Sequence, residues 1–543
     1  MPAGNYTEPQ ARESMTQRET MRALLLLFFP SLLFSQVQLS SYPQKIVTRY
    51  GLNDSSLPAG VATGRDREIT ASGVTWRAGR RGLVREDSTQ DPRQYLHGER
   101  YLLDDNVQHI QWDQSGAGVW VRTETGVTHI AMTPMTLEEK ADVFEQRLRA
   151  RHDRHGYIAD STLRLPGDLS TNILRTNDND GLWTAIYAGA QAFRYAVTRS
   201  PDALHRGRRA MEAILFLEQV TGRPGLPARS HITRDERRGE GGVWHWTPDG
   251  RIEWKADTSS DEIVGHFYAF AIAWDLLPDP AMRRRIAATT RRIMDHIVAN
   301  GWNLIDVHGN PTYWGRWSPE YFSTPRGRPD SPLNALELLS FLKVTHHITG
   351  DHRYHRLYRD VAWKMGYAEM CTTLPERRLT INYSDEELAM LPFYLLFRYE
   401  RDPKLRAIYD RALEQWWKNI RRERNPLWTF IYKTAKPHAP VDLDAAVLTL
   451  YRIPMDLITW RVDNSWREDI EWTGQPDRFG RREALTWLPP DERPIMKWNG
   501  NPFIVDGGNG SRAEDDGAFF LLPYWMGRYE KLIAEKTGKT TPP

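Results

Sequence analysis

The sequence predicts a mainly α protein, an (α/α)6 or (α/α)7 toroid with a small β-domain in front of it. Three observations carry that expectation. From Met135 onward the chain reads as apolar-periodic helices separated by Pro-, Trp- and Gly-rich loops. Within that stretch an acid- or amide-rich lead runs into an apolar helix five times, starting at Asn177, Ser259, Ser331, Asn382 and Glu514. Residues 37–134 instead alternate in short runs between Gly, Asp and Asn turns, as strands do. The expected division is a leader over 1–36, a β-domain over 37–134 and the toroid over 135–543.

The first twenty residues are polar. Met21-Arg22 is then followed by ALLLLFFPSLL and a polar exit at Phe34-Ser35-Gln36, the three regions of a secretory leader. The apolar run is too short for a membrane span, which needs ~20 residues. The chain is therefore expected to be secreted or periplasmic, with no membrane attachment after cleavage. Its single cysteine, Cys371, permits no internal disulfide, which suits an exported bacterial protein. A formal net charge of +2 gives no global attraction to nucleic acid, so any acidic ligand must meet a local cluster. The 21 Trp residues are many for 543, and flat aromatics stack on sugar faces.

The clearest β-segment is Asp105 to Ile130, DNVQHIQWDQSGAGVWVRTETGVTHI, with a fainter copy in WRAGRRGL from Trp76. Asn106, Val107, Ile110, Asp113, Gly116, Trp120, Val121, Thr123, Gly126 and Val127 match a D-x-x-G turn followed by W-[VI]-x-T-x-x-G-[LV]. In these residues the segment resembles the repeats of two-component-regulator propellers. A propeller needs about four blades or more, and this segment holds about two, so a scaffold of blades packed on the next domain is expected.

The helical part opens on a capping box, Thr136 with Glu139 three later. Four of the five repeats end in turns such as SPD, PDP, TGD or RDP. A second helical pattern follows, clearest in RRAMEAILFLEQV and MRRRIAATTRRIMDHIV. Helical pairs recurring at ~50–80 residues mark a solenoid or a closed ring. The apolar, aromatic first helices suit the inner ring, with their polar starts gathered at one end as a cleft. Loops 222–255, 301–332, 374–383 and 490–517 would rim it.

Two stretches carry candidate chemistry. DTSSDEIVGHFY, from Asp257, is rich in N-cap residues, and Glu262 and His266 share one helix face. NLIDVHGNPTYWGRWSPEY, from Asn303, gathers Trp314, Trp317 and Tyr321 around Arg316, a setting for a planar anion such as a uronate carboxylate. A ring of helices with a His on an inner helix, then Arg and Tyr about fifty residues on, resembles the (α/α)7-barrel alginate and glucuronan lyases. The resemblance implies a polysaccharide lyase that cleaves a uronate-containing glycan by β-elimination, with His266, Arg316 and Tyr321 as its reacting set. The substrate carboxylate must be neutralised before the C5 proton is removed, and the departing O4 needs an acid. Glu262 is the first candidate neutraliser and Asn177 the second. Tyr321 would act as base, acid or both, given cationic neighbours to lower its pKa.

Asn177, Asp178 and Trp183 in the first repeat, Trp314 and Trp317, and Lys497, Trp498, Asn499 and Arg512 near the last repeat are the expected substrate contacts. No Walker or Rossmann loop is present, and NDNDG from Asn177 lacks the rest of a calcium loop, so neither cofactor nor metal is expected. A different class stays open. Asp178, Asp180, Asp261, Glu262, Asp385, Glu386, Glu387, Glu514, Asp515 and Asp516 all stand at inner-helix starts, and two such carboxylates suffice for a glycoside hydrolase. A non-catalytic glycan-binding protein is the third reading.

Overall fold

Four of the five repeated leads stand at the starts of inner helices of a closed ring, while Ser331 falls inside a helix that begins at Gly327. A computed structural model describes residues 40–58, 60–61, 63–88, 93–239, 241–373, 382–494, 497 and 499–534. Twelve helices build the ring: α1 (Leu137–Arg151), α2 (Asp180–Thr198), α3 (Pro201–Val220), α4 (Ser260–Leu276), α5 (Pro280–Ala299), α6 (Gly327–Thr349), α7 (His352–Arg359), α8 (Tyr383–Tyr399), α9 (Pro403–Ile420), α10 (Pro426–Ala435), α11 (Leu443–Arg452) and α12 (Ala518–Tyr529). Helix α2 packs on α4, α4 on α6, α6 on α8, α8 on α10, α10 on α12, and α12 returns to α2. The odd-numbered helices lie outside this cycle, each against an inner neighbour. The architecture is thus an (α/α)6 toroid. Helix α10 completes it although its lead is not acid-rich like the other five.

The turns between paired helices double as caps. Ser200, Asp279 and Asp402 cap α3, α5 and α9 with side-chain oxygens, each directly before a proline at the first helical position. Asp351 of the TGD turn caps α7. The Thr136/Glu139 capping box is formed in full at α1. Helix α4 is buried almost continuously from Ser260 to Ala273, as an inner helix must be. Its closest approach to α2 runs through glycines. A Cβ on Gly265 would stand 2.7 Å from Leu182 Cα, and one on Gly181 would overlap the Glu262 carboxylate.

Ahead of the ring, eight strands form two antiparallel four-stranded sheets: β1 (Tyr42–Tyr50), β2 (Glu68–Ala71), β3 (Val74–Gly79), β4 (Gly82–Asp87), β5 (Gln94–Leu96), β6 (His109–Trp112), β7 (Val119–Arg122) and β8 (Val127–Met135). One sheet is the meander β2-β3-β4-β5; in the other, β6, β7 and β8 are completed by β1, giving the order β1-β8-β7-β6. Trp76, Leu83, Ile110 and Val121 belong to their common core. The strands and the ring form one compact unit. Among the described residues no helix is long and apolar enough to cross a membrane.

Candidate active site

A continuous band of polar and aromatic side chains runs over the starts of α12, α2, α4 and α6. At α12, Lys497 Nζ lies 2.7 Å from Asp516 and 3.8 Å from Asp515, and 4.9 Å over the Trp183 ring of α2. Strand Asp160–Leu163 pairs antiparallel with Ala513–Glu514, setting Ser161 opposite Glu514. Asp160 directly precedes that pairing and its charge helps to raise Asp515, and the Asn177 amide donates to Asp160 at 3.3 Å. On the other side of α2, Asp178 pairs with Lys255. Asp178, Lys255, Arg229 and Asp257 line a cavity of about 320 Å³ floored by Gly241 and Gly242.

Asp257 links this cavity to the next rim element. Its carboxylate accepts from the Tyr313 N–H at 2.7 Å, and its carbonyl accepts from Arg229 at 3.2 Å. The residue is held at φ +57°, a left-handed conformation that Asp tolerates better than most residues. Tyr313 and Trp314 stand 49% and 46% exposed on the hairpin strand Pro311–Arg316, edge to face at 4.7 Å. Arg326 lies 3.4 Å over Tyr313 and 4.9 Å over Trp314, and donates to the Tyr313 carbonyl. Beyond it Tyr321 donates its hydroxyl to Asp330 at 2.7 Å.

The electrostatics divide these carboxyls. Burial, with repulsion from Asp516 and Asp160 set against the attraction of Lys497, pushes Asp515 up to about 6. Asp516 is equally desolvated, but the ion pair with Lys497 holds it below the usual carboxylate range. Of these two adjacent acids, Asp516 is held ionised while Asp515 stays partly protonated toward neutrality. Burial and the hydrogen bond to Asp330 push Tyr321 up to about 12, and Arg326 and Arg316 only offset this in part. That phenol is held as a donor.

Several expected site residues lie elsewhere. His266 is fully buried, with Nδ1 2.6 Å from the Glu262 carbonyl and its ring edge-on to Phe270; burial pushes it down to about 4. Among the described residues no hydrogen bond, ion pair or ring contact joins it to Arg316 or Tyr321. Glu262 is also fully buried, accepting from the Gly181 N–H at 3.2 Å, and burial raises its carboxyl well above the usual range. Both lie inside the α2–α4 seam, away from the exposed band. Trp317 is buried too, with its indole donating 2.8 Å to Glu337 beneath the rim. Arg316 turns back on its own hairpin, donating to the carbonyls of Thr312 (2.7 Å) and Pro311 (3.2 Å), with its guanidinium 5.6 Å from the Tyr321 ring centre.

Asn177, Asp178, Trp183, Trp314 and Lys497 do lie along the band. Asn499 is half-buried in the turn after Lys497, and Arg512 is exposed. Trp498 and most of loop 374–383 lie outside the described residues. Asp180, from the NDNDG stretch, is bound by Arg154 (2.8 Å) and Ser230, a structural role. Among the described residues no group of His, Cys, Asp and Glu is arranged to hold a metal ion. The sequence reading missed Asp160, Arg229, Lys255, Arg326 and Asp330. Each sits next to a repeat lead in space rather than inside it, so the repeat pattern does not mark it.

No protein-family model matches the chain, and no curated protein does. Among solved structures it is similar to a sugar epimerase from a ruminal bacterium (12% identity, 72% of this chain and 97% of that one, TM-score 0.36). It is also similar to cellobiose 2-epimerase from Bacillus thermoamylovorans B4167 (11% identity, 71% and 98%, TM-score 0.32). A third similar structure is a metagenome-derived glycoside hydrolase family 9 endoglucanase (12% identity, 90% and 96%, TM-score 0.32).

Proposed function

We propose that this chain is a carbohydrate-active enzyme that hydrolyses glycosidic bonds in an acidic polysaccharide, with Asp515 as the proton donor. The observation that carries this reading is the opposed pair: Asp515 raised to about 6 beside an ionised, Lys497-bound Asp516. A carboxyl still partly protonated at neutral pH is what a departing glycosidic oxygen needs. Asp160 is the second carboxylate. Carboxyl groups about 5–5.5 Å apart act by double displacement with retention of configuration, whereas inversion needs a wider gap for water. In this reading Asp515 is the acid, and Asp160 serves as nucleophile or as general base according to that separation. Trp183, Tyr313 and Trp314 supply stacking faces for sugars along the band. The leader-like run before Gln36 supports export to where such a polymer is met.

A specific observation favours a second reading, β-elimination on a uronate. Arg326 is stacked on two exposed aromatics, and among the described residues no carboxylate pairs with it. One experiment separates the two: incubate the full chain with neutral and uronate-containing glycans, then measure new reducing ends and the ultraviolet absorbance of an unsaturated uronate. Hydrolysis gives reducing ends without absorbance and is lost in Asp515→Asn. Absorbance that survives Asp515→Asn but is lost in Tyr321→Phe would replace hydrolysis with elimination. Binding without either product would leave a glycan-binding protein.

A further inference from the structure

A second cavity lies away from the band, in the seam between the β-sheet and the ring. It has a volume of about 120 Å³ and runs along β1, facing the segment that follows α11. Four cationic residues, Lys45, Arg100, Arg147 and Arg452, line it against two acids, Asp456 and Asp491. Three of the cations are engaged by the protein. Lys45 pairs with Asp491 at 2.6 Å, and Arg452 pairs with the same carboxylate at 2.7 Å and with Glu492 at 2.8 Å. Arg100 donates to the carbonyls of Asp491 (2.9 Å) and Arg493 (3.3 Å).

Arg147, on α1, is different. Its guanidinium is half-buried and makes no hydrogen bond or ion pair among the described residues. The acids nearest in charge are Asp456 and Glu514. Both are already used: Asp456 accepts from the Ile458 N–H (2.9 Å) and the Trp460 indole (2.8 Å), and Glu514 is held by both arms of Arg151 at 2.6 Å. A half-buried guanidinium with five donors and no protein acceptor among the described residues is free to meet an anion that enters the cavity. The remaining lining is suited to a carbon skeleton: Ile46, Val47 and Met455, with Tyr42 and Tyr451 tilted together at 5.7 Å.

We infer that this seam cavity binds a small organic carboxylate, the size of one sugar acid, gripped by Arg147. A planar carboxylate can take two parallel N–H donors from one guanidinium. The cavity wall sets the class as well. Asp456 and Asp491 repel a dianion more than a monoanion, and the apolar and tyrosine faces give an inorganic ion nothing to contact. The site is separate from the band, so it stands or falls independently of the proposed hydrolysis.

Calorimetric titration of the full chain with sodium glucuronate, glucose and inorganic phosphate tests it. Glucuronate is expected to bind and glucose not to bind. Arg147→Met should weaken that binding event by at least about tenfold, the loss of a charge-assisted pair, while Arg147→Lys keeps part of it. Arg147→Met breaks no protein hydrogen bond, so its circular dichroism should match the parent chain. Met455→Trp, which fills the cavity, should also abolish the event, and Asp515→Asn should leave it intact. Equal glucuronate binding in the parent and Arg147→Met chains would overturn the site. Tighter Arg147-dependent binding of phosphate than of glucuronate would overturn the carboxylate assignment.

Discussion

At the scale of single residues, Asp515 decides most. As a proton donor it must be protonated, so kcat/KM should fall as pH rises through about 6. Lys497 lowers that value, and removing the cation in Lys497→Met should move the alkaline limb of the pH profile upward. An unmoved limb would exclude Asp515 as the titrating acid. The same shift has a stability sign. The folded value lies above the unfolded value of about 3.9, so the contribution of protonated Asp515 is full below that value and lost as pH rises through about 6. Tyr321 offers the contrast. Its hydroxyl is tied to Asp330 and raised to about 12, so under hydrolysis Tyr321→Phe should cost less than about tenfold in kcat, with no role at the reacting bond. The chemical types at these positions were readable in the chain, but their directions were not. His266 and Glu262 share a helix face, as their spacing of four requires. That face turns out to be the one pressed on α2, with the Glu262 carboxylate and the His266 ring set against Gly181. In the same way an aromatic–arginine set was legible around Tyr313, yet the cation that stacks there is Arg326, ten or more residues along the chain, brought in by the turn into α6.

At the scale of elements, caps and close approaches account for what local sequence shows well. Thr136→Ala should remove the α1 capping box and cost about 1 kcal/mol, read as a lower urea midpoint with an unchanged slope. Gly181→Ala tests the α2–α4 seam. Its added methyl must displace the Glu262 carboxylate, a buried group with little room to move. A loss of about 1–3 kcal/mol, as for other overpacked cores, is the expected result. A neutral Gly181→Ala would mean that the seam is looser than its packing. Five of the six inner helices were marked by acid- or amide-rich repeats, although the one from Ser331 lies within α6 rather than before it. Helix α10 was not, because its cap is the single Asn425 and its acid, Glu423, sits in the short 3-10 turn before it. The pairwise rhythm was therefore legible, while the ring size of six needed the contact from α10 to both α8 and α12.

At the scale of the whole molecule, the β-sheets and the ring hold each other. Lys140 of α1 is completely buried, and donates to Gln44 of β1 at 2.8 Å and to carbonyls at the end of α11. Lys45 and Arg100 reach from the strands to residues 490–493 of the ring's last long loop. A chain trimmed to residues 136–534 would leave Lys140 without Gln44 and Asp491 without Lys45. It is expected to be insoluble or to melt well below the full chain in a thermal scan, and limited proteolysis of the intact protein should release no stable ring fragment. By itself the sequence determined the secondary-structure types, the caps, the pairing of helices and the polar ends of the inner helices. These follow from local periodicity and from side chains that bond their own backbone. Only the tertiary structure decided which acids come together, because Asp160 and Asp515 flank the pairing of Ser161 with Glu514, more than 300 residues apart in the chain. It also decided which of the predicted groups are buried, since burial depends on what lies across the seam and sets whether a carboxyl or imidazole can meet a ligand at all.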